Sequence, residues 1–290
     1  MSEKRNLRNQ YQETKKHGSR LFPFNIYPCT IPLDFPAVLV HWHRDMEIIY
    51  VKKGRGKIML GMEFFEGREG DIFVIPPGQL HAIHREKNDS MEYENIIFEV
   101  EFLGSGAADV CAGEYLVPLI SGQLLSPVRI PREDKDYKML ETCLQQMEEL
   151  CGDKGPGFEL GVKAAALQFI FLLVRKYPYS HHSMTPDMER LKVLLQEIER
   201  CTGETLSVSA MAEFCGWSSS HFMRWFRRMT GSSFTSYVND QRLASAAEAL
   251  RRTDSKIVTI AEDAGFGNLS NFNRQFKARY GMTPGEYRTK

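Results

Sequence analysis

One stretch of about twenty residues occurs twice near the end of this 290-residue chain, and a repeat of that length admits few folds. Aligning "AEFCGWSSSHFMRWFRRMTG" (212–231) with "AEDAGFGNLSNFNRQFKARYG" (261–281) pairs Ala212 and Glu213 with Ala261 and Glu262, and Gly216 and Trp217 with Gly265 and Phe266. After one extra residue in the second copy, Phe222 pairs with Phe272, Arg224 with Arg274, Phe226 with Phe276 and Gly231 with Gly281. In each copy a short helix ends at a Gly-aromatic pair, a polar turn follows, and a second helix carries apolar residues at i and i+4. The pattern predicts a duplicated helix–turn–helix, in which the second helix can lie in a DNA major groove while the first braces it. Between the copies, "TSYVNDQRLASAAEALRRT" (235–253) reads as one amphipathic helix. At roughly 1.5 Å per residue it spans about 28 Å, which would set two reading helices about one turn of B-DNA apart.

The outward positions of the two second helices are Ser220, His221, Met223, Arg224, Arg227 and Arg228, and then Ser270, Asn271, Asn273, Arg274, Lys277 and Arg279. Neither helix carries an acidic residue. Arg and Asn suit bidentate contacts to base edges, and the later Arg and Lys suit phosphates. A bundle with a solvated basic face is the alternative for a lone copy, and the duplication argues against it. Charge is also sorted along the chain. Basic and acidic residues both number 37, but from residue 189 onward there are 15 basic against 11 acidic, so the C-terminal third is about +4 and the remainder about −4.

The first half has a different texture. Residues 1 to about 20 are polar and basic, and are expected to form a flexible arm. From about 22 to 127, short runs such as "AVLVHWH", "MEIIYVKK", "GKIML", "DIFVIPPG" and "MEYENIIFEVEFL" are broken by Gly and Pro, as antiparallel strands of a barrel or sandwich would be. Leu140, Cys143, Leu144, Met147, Leu150 and Cys151 then fit one face of a helix over 134–152. A second helix over 158–177, apolar nearly all round, packs on the barrel, on a second copy, or on both. "PYSHHSMTPD" (178–187) has a linker's composition. No run approaches a membrane span and the N-terminus lacks the apolar core of a signal peptide, so a cytoplasmic location is expected. The six scattered cysteines are expected to be reduced core residues.

On a strand, residues of equal parity share a face, so His41, His43 and Glu47 can converge inside a barrel, and His81 follows a turn forced by Pro76, Pro77 and Gly78. Three imidazoles and a carboxylate suit Fe, Mn, Ni, Cu or Zn. The same groups can instead hydrogen-bond the hydroxyls of an organic effector, with Trp42 stacking on it, or serve as satisfied core polars. All three readings stay open here. His17, His84, His181 and His182 are expected in solvent.

The stretch 257–288, with its opening "IVTIA", the Gly-Phe pair, the "FNRQFK" core and the closing "GMTPGEYR", resembles the C-terminal signature of the AraC/XylS family of bacterial transcription regulators, as "RLASAAEAL" does its linking helix. The resemblance implies base-reading positions at Ser220, Met223 and Arg224 in the first unit and Leu269, Ser270, Asn273 and Arg274 in the second. Residues 41–54 and 70–81 resemble the paired cupin motifs, with departures at Phe35, where Gly would stand, and Arg85, where Asn would stand. The expected fold is α+β and multidomain. It comprises an arm (1–20), a cupin-like barrel binding an effector (21–130), a helical hairpin for dimerisation (131–178), a linker (179–187) and an all-α domain with two helix–turn–helix units (188–290). The implied function is sequence-specific DNA binding controlled by a small molecule, a sugar among the candidates, bound at His41, His43, Glu47 and His81. Promoter DNA, RNA polymerase and a second copy are the implied partners, no cofactor is required, and the arm closes over the pocket or docks on the DNA-binding domain. The competing reading is a metal-dependent cupin enzyme with an accessory helical domain.

Overall fold

The computed structural model describes residues 17–19, 21–34, 36–85, 89–104, 109–126, 128–177, 185–200 and 206–289. The chain divides into two compact units, one built on residues 42–177 and one on 185–289, the segment 36–41 grouping with the second. Residues 1–16 and 20 of the arm expected over 1–20, the two histidines at 181 and 182, Phe35 and most of the linker lie outside the described residues.

Among the described residues, eight strands form the sheet: β1 (Phe24–Ile31), β2 (Ala37–His41), β3 (Met46–Leu60), β4 (Glu63–Arg68), β5 (Ile72–Ile75), β6 (His81–His84), β7 (Met91–Phe98) and β8 (Val128–Ile130). β1, β7, β3, β5 and β8 lie side by side in that order, and β4 and β6 pair with the second half of β3. β3 is the long spine, taking β5 and β7 along its first half, with an irregularity between Val51 and Lys53. The runs "MEIIYVKK" and "GKIML", expected as separate strands, are thus one strand. Its first six residues are all buried, because both faces are covered, which replaces alternation with a continuous apolar run.

The outer face of that spine explains the helices. Met46, Ile48 and Tyr50 share one cluster with Phe24, Val74, Ile96 and Phe98 and with Leu140, Leu144, Met147, Phe169 and Leu173 of two antiparallel helices, α2 (Tyr137–Asp153) and α3 (Phe158–Lys176). A short helix α1 (Val117–Ile120), preceded by a π-helical turn over Ala112–Leu116, adds Leu116 and Leu119. Each fully buried side chain of this kind contributes on the order of 1.5–3 kcal/mol. Polar ties cross the same interface: Tyr50 Oη donates to Glu141 Oε1 at 2.8 Å, and Lys52 bridges Glu94 (3.1 Å) and Glu148 (3.0 Å). The cysteines do not all join the core. Cys143 is buried, but Cys111 is exposed and Cys29, Cys151 and Cys215 are half-buried, because each lies at an element end or edge; none of these five is in a disulfide, and Cys201 lies outside the described residues.

Among the described residues, the 185–289 part of the second unit is helical: α4 (Pro186–Arg200), α5 (Val208–Phe214), α6 (Ser219–Thr230), α7 (Phe234–Arg252), α8 (Ile257–Asp263), α9 (Leu269–Tyr280) and α10 (Pro284–Arg288). α7 is the shared core. Its first turns set Phe234 and Tyr237 against Phe226 of α6, with ring centroids 5.5 Å apart in both pairs. Its later residues Leu243, Ala246, Ala247 and Leu250 pack with Ile260, Phe266, Phe272 and Phe276 of the second copy. Among the described residues, no helix is long and apolar enough to cross a membrane.

Glu94 provides a check on the barrel–hairpin interface. Burial, reinforced by Glu148, pushes its carboxyl up to about 6, and Lys52 offsets only part of that. A carboxyl whose folded value is raised favours folding while protonated, and that contribution is lost as pH rises through about 6. Glu94→Gln is therefore expected to melt above wild type at pH 8 and alongside it near pH 4.5; equal melting curves at both pH values would show that the group carries no such penalty.

Candidate nucleic-acid interface and buried histidine cluster

The two helix–turn–helix copies are superimposable in their local chemistry. Gly216 and Gly265 hold φ of 71° and 84°, a left-handed conformation that lets the chain turn between helices. In each, the glycine N–H bonds the glutamate carbonyl three residues back (2.8 Å in both), and the aromatic N–H bonds Ala212 O or Ala261 O at 2.8 and 2.9 Å. Ser218 and Asn268 then cap α6 and α9, their side chains accepting from His221 N and Asn271 N. The extra residue of the second copy falls in the turn. Phe222, Phe226, Phe272 and Phe276 face inward with no exposure.

The opposite faces carry the residues expected to meet DNA. Ser220, His221, Met223, Arg224, Arg227 and Arg228 are exposed on α6, as are Leu269, Ser270, Asn273, Arg274 and Lys277 on α9, with Asn271 half-buried. Arg279 departs from the expectation: its guanidinium turns inward to Asp240 of α7 and is only 10% exposed, so it fastens α9 to the spacer. Arg228 reaches back to Asp187 of α4 at 3.1 Å. Arg190, also on α4, lies over the Trp217 ring at 4.8 Å, a brace that the repeat pattern alone did not reveal.

In the barrel, Glu47 lies on β3 with parity opposite to Met46 and Ile48, so it faces away from the hairpin. His43 Nε2 lies 2.6 Å and His81 Nε2 3.2 Å from the same Glu47 Oε2, and the two rings meet edge to face at 5.0 Å. His41 completes a set whose ligand atoms all lie within 4.8 Å of one another. Gly78, at φ 78°, donates its N–H to His43 O at 2.7 Å and so ties the second motif's turn to the first motif. His43, Glu47 and His81 are buried and His41 is half-buried.

The outer imidazole nitrogens decide the chemistry. Nδ1 faces a backbone carbonyl in each ring: Leu39 O for His41 (2.9 Å), Asp45 O for His43 (3.1 Å) and Gln79 O for His81 (2.9 Å). A carbonyl only accepts, so Nδ1 of each ring carries a proton; Nε2 of His43 and of His81 faces Glu47 Oε2, a contact that needs a second ring proton or another cation between the two atoms. Lone pairs and a carboxylate oxygen 2.6 Å apart repel unless a cation, a proton or a metal ion, lies among them. Burial pushes the Glu47 carboxyl up, yet His81 and His43 outweigh it and hold the group well below the ordinary carboxylate range.

Two histidines expected in solvent are elsewhere. His17 is 5% exposed, lies within 3.2 Å of Tyr27 Oη and sets its ring 6.4 Å from that of His43; the turn signal "HGS" before Leu21 and Phe22 was the clue in the sequence. His84 is half-buried beside Phe64, and burial holds its ring below the ordinary histidine value.

A sheet-rich domain with a buried ligand-type cluster, joined to two helix–turn–helix units, defines a DNA-binding regulator with a ligand-binding domain. Comparison with known families agrees: residues 33–170 match the AraC-like ligand binding domain and residues 211–290 a helix-turn-helix domain, and the chain belongs to the AraC family of transcription regulators. It is similar to the uncharacterized HTH-type transcriptional regulator YdeC of Bacillus subtilis, 22% identical over 96% of this chain and 95% of that one. It is also similar to the RCS-specific HTH-type transcriptional activator RclR of Escherichia coli, 23% identical over 86% and 84%. The HTH-type transcriptional activator RhaR of Yersinia pseudotuberculosis is 25% identical over 86% and 83%. Among solved structures, ToxT from Vibrio cholerae is 14% identical, with a TM-score of 0.47 over 92% of this chain and 98% of that one. The protein is a transcription regulator.

The turn geometry yields a paired test. Gly265→Ala places a side chain in a left-handed conformation and is expected to cost about 1–2 kcal/mol, read by denaturant unfolding. Gly285→Ala, inside α10 with its nearest neighbour Ile257 at 3.9 Å, is expected to be neutral or stabilising by up to about 1 kcal/mol. Equal effects at the two positions would sink the turn assignment.

Proposed function

We propose that this regulator senses through a divalent transition metal ion held in the barrel by His41, His43, Glu47 and His81. The observation that carries the reading is the convergence of the cluster: three rings with Nδ1 turned to carbonyls, and a Glu47 carboxylate, with ligand atoms all within 4.8 Å of one another. Such a set is completed by a cation, and imidazole with carboxylate suits the first-row metals. The backbone carbonyls fix ring orientation, as the outer partners of ligating histidines do. The ion would supply a Lewis-acidic point within a site that excludes water.

A small effector rich in oxygen donors, a carbohydrate among the candidates, would approach from His41 and Trp42, which are half-buried, since His43, Glu47 and His81 are nearly sealed from solvent. Effector binding shifts the regulator only if the two conformational states bind it unequally. A second copy is proposed to dock on α3, where Leu160, Leu167 and Phe171 stand 74%, 39% and 49% exposed on a helix otherwise buried against α2 and the sheet. At a promoter, the bound dimer would act through RNA polymerase. Contacts to the DNA are assigned to Ser220, His221, Met223, Arg224, Arg227 and Arg228 on α6 and to Leu269, Ser270, Asn271, Asn273, Arg274 and Lys277 on α9.

Elemental analysis of purified protein, with metal-titrated thermal shift, tests the sensing site. Wild type is expected to carry about one transition-metal equivalent and His43→Ala none; an ion at 100 times its dissociation constant would stabilise by about 2.7 kcal/mol. No metal and no shift with Zn, Mn, Fe, Ni or Cu would reject it. For the DNA interface, Arg224→Ala combined with Arg274→Ala is expected to abolish sequence preference in mobility-shift titrations, and preference left intact would mean that other residues read the bases.

A further inference from the structure

The two reading helices are copies, yet their exposed first turns differ in chemistry. In α9, Arg274 Nη2 donates to Asn271 Oδ1 at 2.9 Å. Arginine has only donors, so the carboxamide oxygen must face it and the amide NH2 must point away. Asn271 is itself fixed, because its backbone N–H donates to the Asn268 cap at 3.0 Å. The guanidinium is thereby held by a residue that the helix cap holds.

The repeat places His221 at the position of Asn271 and Met223 at that of Asn273. His221 packs its ring edge-on against Trp217, with centroids 4.6 Å apart, and Trp217 is clamped in turn by Arg190 at 4.8 Å and Trp225 at 4.9 Å. The imidazole thus belongs to the aromatic brace of its own unit. Met223, 46% exposed, offers no hydrogen bond.

We propose that the two units read DNA unequally: α9 sets base choice, with Arg274 reading a guanine and Asn271 positioning it, while α6 supplies grip through Arg224, Arg227 and Arg228. This rests on the assignment of α6 and α9 as the helices that meet DNA. Guanine is the target because its major-groove edge presents two acceptors, N7 and O6, matched to the arginine fork, and one N–H committed to Asn271 leaves four. A pre-oriented guanidinium also loses less freedom on binding than a loose one. The Asn271 NH2, left as a donor, suits a neighbouring base that presents an acceptor and opposes cytosine, which presents only a donor there.

Selection by the full-length protein from a duplex library randomised over about 25 base pairs tests this, with affinity for one fixed unrelated duplex measured at several salt concentrations. The wild-type motif is expected to hold a guanine in one half-site that Arg274→Ala erases, a loss of roughly 5- to 150-fold in discrimination. Asn271→Ala is expected to weaken that guanine preference by a larger factor than it weakens affinity for the unrelated duplex, with the salt slope kept, a pattern that damage to the fold would not give. Asn271→Asp keeps an oxygen towards Arg274 and should restore the preference at lower overall affinity. Arg224→Ala should weaken all duplexes alike and reduce the salt slope by about one. Guanine preference unchanged in Asn271→Ala overturns the positioning role alone. A guanine that Arg224→Ala erases and Arg274→Ala does not overturns the division between the units, and a motif untouched by either variant rejects the reading helices themselves.

Discussion

Burial of both faces of β3 is the constraint on which the sensing domain depends. One face, through Met46, Ile48 and Tyr50, meets the α2–α3 hairpin, and the other, through Glu47, Ile49 and Val51, closes the barrel interior. β4, β5, β6 and β7 all draw backbone hydrogen bonds from this strand. A carboxylate in such a place is tolerable only because imidazoles hold it ionised. The fold and the candidate site are therefore not separable: the strand that orders the sheet also delivers the anion of the cluster.

That coupling is what supports the proposed metal reading over an organic effector seated among the same three residues, both readings being open from the sequence. A sugar needs exposed donors and acceptors and a cleft to enter, whereas His43, Glu47 and His81 are sealed and turned on one another. A cation needs only a gap among lone pairs. On that proposal an organic effector would take the open edge of the cluster, beside His41 and Trp42, as a neighbour of the ion and not its competitor.

The helical half was legible in the sequence because its signals are local: glycines at the turn, a capping residue, and phenylalanines four apart, each repeated. The His-x-His-x3-Glu set was expected to converge by parity along one strand, whereas His41 ends β2, His43 lies in the turn that follows and Glu47 alone of the three is on β3. What escaped depends on partners distant in sequence. β1 and β4 went unseen because their half-exposed, polar-flecked runs gain strand character only by pairing with β7 and β3. His17 looked like part of a charged arm, and only Tyr27 and His43 give it a buried place. Arg279 carried the right charge on the right helix, yet Asp240 from the spacer claimed it.

The shared core of α7 has a consequence for how such a regulator can change over time. Because one continuous helix packs against both units, their separation is a backbone dimension and not a linker length. Inserting one residue would advance the second unit by about 1.5 Å and swing it by roughly 100° about the helix axis, carrying its reading face off the duplex. Half-site spacing in the target DNA is thus inherited with the protein almost as a fixed length, while the side chains that touch the bases remain free to drift.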